Sequence, residues 1–139
     1  MSPFRWQQAH WLSNELLLNA DDNIVIVMHM FLYDGKTASE FSRNIMNILE
    51  AHKLRSVISL EGKEYDFSRS KGQVACVLCG HCHKDFVIND YSIPVIGTTH
   101  FRSGNMPTYD IIVFDWERGI MNMIRVGSGD NRIINIVNR

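Results

Sequence analysis

The chain has 139 residues, 45% of them hydrophobic, and a formal net charge of −1, which is enough for one packed core and too little to expect two. The near-zero charge gives no electrostatic footprint for nucleic acid or an anionic membrane, and no apolar run has the length that crosses a bilayer. The opening residues Met1-Ser-Pro-Phe-Arg-Trp6 lack the apolar stretch of a secretory signal, so a reducing, cytoplasmic setting is expected.

In chain order, Ser2-Pro3 suits a helix start, and Ala9, Leu12 and Leu16 fall at helical spacing, with Trp11 and Leu18 widening the stripe. This helix should end between Asn19 and Asp22, leaving His10 solvated. Next comes Ile24-Val-Ile-Val-Met-His29-Met30, a short β-branched run with an imidazole at its carboxyl end, expected to be a buried strand. The segment Thr37-Ala-Ser-Glu40 reads as a capping box, followed by Phe41, Ile45, Ile48 and Leu49 on one face of a second helix. His52, near the end of that helix, is placed to meet its dipole. Residues 55–67 read as a hairpin, Ser56 to Leu60 and Glu64 to Phe67, around Glu61-Gly62-Lys63.

The most informative stretch follows, Val77-Leu-Cys-Gly80-His81-Cys82-His83, an apolar strand that ends in glycine and presents two imidazoles one residue apart. A strand buried on both faces reads as a continuous apolar run, and its carboxyl end is where an α/β sheet offers a crevice to ligands. Gly80 is expected to provide the sharp bend, and neutral imidazole is a common ligand for divalent transition metals. Residues 92–98, 109–116 and 119–126 then read as successive short strands, the last two joined by Glu117-Arg118-Gly119, forming the second sheet of a sandwich. Nothing in the order resembles a repeat, low-complexity tract or linker, so residues 1–139 read as a single domain.

The ordered pair of strands, Val25-Ile-Val-Met-His29 and then Gly80-His81-Cys82-His83, resembles the calcineurin-like metallophosphoesterases. Two flanking segments are similar to that family as well: Gln8-Ala-His-Trp11-Leu12, like its helix ahead of the first strand, and Pro94-Val-Ile-Gly97-Thr98, like the strand and turn behind the loop. The family's amino-terminal motifs, Asp-x-His, Gly-Asp-x-x-Asp and Gly-Asn-His-Asp or Gly-Asn-His-Glu, are absent, so the chain looks like the carboxyl-terminal half of such an enzyme. The resemblance implies an α/β (α+β) fold, part of a β-sandwich with mixed sheets flanked by helices. It also implies two divalent ions (Mn, Fe, Zn or similar), with His29 and His81 on one and His83 on the other, and hydrolysis of phosphate esters by metal-activated water. The bridging carboxylate, the Asn and the catalytic histidine belong to the missing half, so an isolated monomer is expected to be inactive. A homodimer or a complementing amino-terminal half would supply what is missing, and the uncovered sheet edge or apolar face would favour association.

Other readings stay open. Asp34 to Lys36, and His100, Arg102 and Asn105 after the Ile96-Gly97 strand, lie on loops that could reach the metal edge as substrate-binding or supporting groups; an arginine there could pair with a phosphate oxygen. Each is as readily a solvated loop residue. Cys79-Gly-His-Cys82-His83 formally matches the C-x-x-C-H pattern of haem attachment, which leaves a haem or redox protein using Cys79, Cys82 and His83 as a third class. A zinc knuckle would need a second cysteine pair, and Cys76 and Cys79 fit better as small buried strand residues. The alternative to an enzyme is a non-catalytic metal-binding or interaction remnant.

Overall fold

The computed structural model describes residues 3–29, 40–89, 91–99 and 107–136. The fold mixes helices and sheets, and its contacts divide the chain into two compact units, Met1–Val25 with Phe31–Val74 and Ile26–Met30 with Ala75–Arg139. No helix among the described residues is long and apolar enough to cross a membrane.

The first unit holds two helices, α1 (Pro3–Leu18) and α2 (Glu40–Lys53), and the hairpin of β2 (Val57–Leu60) and β3 (Lys63–Asp66). In α1 the spacing of Ala9, Leu12 and Leu16 puts all three in the core, but Trp11 is 62% exposed and Leu18 78% exposed. The apolar stripe is therefore narrower than the sequence implied, and Trp11 and Leu18 are not part of it. The helix closes at Asn19, whose backbone N–H and side-chain amide both donate to the Glu15 carbonyl. His10 is not simply solvated, because its Nδ1 lies 2.7 Å from the hydroxyl of the buried Tyr65 and ties α1 to the hairpin.

Helix α2 buries Ile45, Met46, Ile48 and Leu49, and its end is fixed by a left-handed Arg55 at φ 56°. Ser56 N donates to Ala51 O and Arg55 N to His52 O, the paired bonds of a Schellman closure. His52 does not meet the exposed carbonyls as expected. It is completely buried, edge-on to Phe67 at 5.3 Å, with neither ring nitrogen hydrogen-bonded, and the Arg55 guanidinium caps the His52 carbonyl instead. The hairpin turns through Glu61 and Gly62 with φ of 47° and 81°, the two consecutive positive angles of a type I′ turn.

A four-stranded sheet runs in the order β1-β4-β6-β5, comprising β1 (Asn23–Met28), β4 (Gln73–Cys79), β5 (Phe86–Ile88) and β6 (Val95–Gly97), with the first residues of β1 and β4 in the first unit and the rest in the second. Gln73 N donates to Asp22 O at one end and Gly80 N to His29 O at the other, so β1 and β4 run in the same direction. A Cβ on Gly72 would collide with the Asp22 backbone, which is why the chain needs glycine where β4 enters the sheet. Val74, Ala75, Cys76 and Val77 are buried, as the continuous apolar run of β4 requires. Strand β1 is different: it lies at the sheet edge, and Val27 is 76% exposed, so the expectation of two fully buried strands holds only for β4.

Strand β6 pairs parallel with β4, Cys79 opposite Gly97, and antiparallel with β5, where the Phe86 ring covers Gly97. It therefore belongs to the first sheet and not to the second, where the sequence pattern had put it. The second sheet is β7 (Tyr109–Asp115), β8 (Ile120–Val126) and β9 (Arg132–Asn135), antiparallel in that order. The turn between β7 and β8 is closed by the Asp115 carboxylate accepting from Arg118 N and by Gly119 at φ 66°. Alternation along β8 puts Met121 and Met123 in the core and leaves Ile124 exposed.

Candidate metal centre

Where β1 and β4 end, two histidines meet. His29 follows Met28 directly, Gly80 N donates to the His29 carbonyl over 3.1 Å, and His81 then turns back so that its Nδ1 lies 3.4 Å from His29 Nε2. The rings are nearly perpendicular, 83° apart with centroids at 5.3 Å, and both side chains are solvent-accessible. The bend is not made where the sequence implied. Gly80 is outside the left-handed region; His81 and His83 occupy it, at φ 66° and 52°. A Cβ at Gly80 would meet His29 atoms only at 3.6 and 3.8 Å, which is ordinary contact.

Two left-handed non-glycine residues in three positions cost of order 1–3 kcal/mol each, and such strain persists only where the surroundings hold it. Just beyond the loop lies an ionic network, with the Arg125 and Asp110 side chains buried, that the sequence reading did not find. The Arg125 side chain, 2% exposed, donates through Nε to Asp110 Oδ1 at 2.8 Å and through Nη1 and Nη2 to the two Asp85 oxygens at 2.9 and 2.7 Å. Arg132 adds Nη2 to Asp110 Oδ2 at 3.0 Å and Nη1 to the Gly97 carbonyl at 3.0 Å. Asp85 Oδ1 also accepts from Thr99 N. The histidine loop is thus pinned, two residues beyond His83, to the inner face of the three-stranded sheet. The hydrogen-bonded Arg125 guanidinium holds the Asp85 carboxyl below the ordinary carboxylate range, against the opposing effect of burial. A sign of this was legible: Asp110 and Arg125 are charges of opposite sign at inward positions of adjacent apolar strands, and they pair directly across the ladder.

The two rings are within hydrogen-bonding distance of each other, and their nitrogens also stand at a spacing that one ion could share. Ligand nitrogens about 2.0–2.1 Å from one tetrahedral zinc stand roughly 3.3 Å apart, close to the 3.4 Å between His29 Nε2 and His81 Nδ1. The set is incomplete, for among the described residues no group of three or more His, Cys, Asp or Glu gathers at a metal-binding spacing. His83 is exposed on the same loop and does not join the pair in such a group. His100, Arg102 and Asn105, and the Asp34 to Lys36 loop, lie outside the described residues.

The two buried cysteines point away from thiolate chemistry. All three are unbridged; Cys76 and Cys79 are buried, and burial pushes their thiols up to about 12 and about 11, the charge of nearby Cys82 adding to the second. Cys79 Sγ sits 3.6 Å from the Ile96 carbonyl as a packed strand residue. No family model, curated protein or solved structure matches the chain.

Proposed function

We propose that this chain is the histidine-bearing, carboxyl-terminal half of a metal-dependent phosphoesterase of the calcineurin-like kind, its two larger sheets being parts of that family's sandwich. The observation that carries the reading is the 3.4 Å approach of His29 Nε2 and His81 Nδ1 at the neighbouring ends of two strands running the same way. In such a site a divalent ion polarises a phosphoryl oxygen and lowers the pKa of a water toward about 7. His29 and His81 would hold one ion from one side, and His83, two residues further along the strained loop, would serve a second once the other segment supplies its remaining ligands. Asp85 and Arg125 keep the loop in place. The remaining ligands and the proton donor come from a second polypeptide segment, either a complementing amino-terminal half or another copy, so catalysis by the isolated monomer is weak or nil.

The reading is tested by elemental analysis of protein purified without chelator, alongside His29→Ala, His81→Ala and His83→Ala, with a phosphatase assay in added Mn2+. One bound ion per chain, lost in the first two variants and retained in the third, is the expected result. Metal content indifferent to His29 and His81 would sink the proposal. A second reading, a metal-binding module without catalysis, is favoured by the small donor set: two exposed imidazoles fall short of the three protein ligands of catalytic zinc sites. Metal uptake without hydrolysis, even with the amino-terminal half of a related enzyme added, would select it.

A further inference from the structure

A cavity of about 370 Å3 opens beside the histidine pair, inside the second unit, between the carboxyl ends of β1 and β4 and the start of β7. Met28, the residue before His29, and Gly80, the residue before His81, both line it, so it opens at the strand ends that carry the two histidines, although the imidazoles are not among its described lining. We propose that it is the seat of the alcohol portion of the phosphate ester and takes an uncharged aromatic or branched apolar group; this rests on the phosphoesterase reading.

The chemistry of the lining argues for that class. Val27, Met28, Leu78 and Ile112 supply the walls, the half-exposed Tyr109 and the exposed Val27 flank the mouth, and Thr108 adds a hydroxyl. No lysine or arginine occurs among the described lining residues. The one carboxylate among them, Asp110, is already engaged by Arg125 and Arg132, so it offers a cationic ligand little. Ligand pockets of about 300–1,000 Å3 are characteristically apolar with a few placed polar groups, and this one has room for one or two rings. The second phosphate of a nucleoside diphosphate would find no cation to neutralise it among the described lining residues.

The test uses the full chain and reads binding directly. Titration of the metal-free protein with 1-naphthol should give saturable binding. Ile112→Trp, which fills the cavity, and Val27→Phe, which narrows its mouth from an exposed position, should each weaken it tenfold or more. Ile111→Trp, on the opposite face of β7, should leave it unchanged. In Mn2+, 1-naphthyl phosphate should bind at least tenfold more tightly than adenosine diphosphate, whose terminal phosphate is carried by a charged group. Absence of saturable naphthol binding, indifference to both cavity variants, or equal binding of the nucleotide would overturn the assignment. Mn2+ uptake, followed by electron paramagnetic resonance in the same samples, separates the two ideas. Naphthol binding without Mn2+ uptake removes the phosphoesterase reading and upholds the cavity's ligand class, and Mn2+ uptake without naphthol binding does the reverse.

Discussion

At the scale of single residues, His52 shows what an unpaired imidazole costs. It is fully buried with both nitrogens unsatisfied, and desolvation, helped by the positive charge of Arg55, lowers its pKa below the ordinary histidine value. An unfolded chain binds that proton more readily than the folded one. Stability from keeping His52 neutral is therefore fully present above about pH 6.5, the unfolded value, and is lost as the pH falls through the lower folded value. Denaturant unfolding from pH 7.5 to 5 should show a decline in stability that His52→Leu reduces, since the other histidines titrate alike in both proteins. Leucine also removes two orphaned polar atoms worth about 1–3 kcal/mol, so the variant should be no less stable at pH 7.5. A decline of the same size in both proteins would contradict the argument. The histidine pair is different in kind: its two imidazoles stay accessible, and what brings them together is backbone geometry.

At the scale of elements, the histidine loop depends on a strand it does not belong to. Arg125 on β8 reaches Asp85 at the end of the loop and Asp110 on β7 at once, and the side chains of Arg125 and Asp110 are each only 2% exposed. Removing one partner from a buried pair leaves an uncompensated charge, at about 3–5 kcal/mol. Arg125→Met should therefore lower unfolding stability by about that much. Asp85→Asn leaves Arg125 paired with Asp110, so it should cost less globally while broadening the His81 and His83 imidazole resonances as the loop loosens. Equal global losses with an unchanged loop would show that the network only glues the sheets. Much of this architecture was written plainly in the chain: the α2 stripe of Ile45, Ile48 and Leu49, the Glu61-Gly62 hairpin, the buried run of β4 and the histidines at the ends of β1 and β4 all stand where periodicity and turn chemistry put them. What escaped was short or non-local. Strands β5 and β9 span three and four residues, too few for alternation to register. The sheet membership of β6 is decided by its parallel partner β4 and not by its own pattern. The left-handed conformations of His81 and His83 escaped because the sequence pattern assigns the bend to Gly80, although histidine is among the non-glycine residues enriched there.

At the scale of the whole molecule, the outer face of the three-stranded sheet stands out. Tyr109, Ile111 and Val113 on β7, Ile124 on β8 and Ile133 on β9 are all exposed, and the ladder sets Ile111 opposite Ile124. Together they present an uncharged apolar surface of roughly 500 Å2, at the upper end of what isolated soluble chains carry. Such a face favours association. Sedimentation at rising protein concentration should show self-association that Ile111→Lys and Ile133→Lys together abolish, with the thermal midpoint little changed because neither side chain is in the core. Strict monomers at every concentration would mean the face is simply tolerated.

The approach of His29 to His81 also bears on heat resistance. The two rings are 52 positions apart in the sequence, and one ion held by both would be a reversible cross-link closing that whole loop. By the chain-entropy account of a covalent bridge of the same span, such a clasp removes freedom from the unfolded ensemble worth roughly 4 kcal/mol. Whatever chemistry it performs, the pair can act as a buckle, fastened when metal is plentiful and undone when it is scarce.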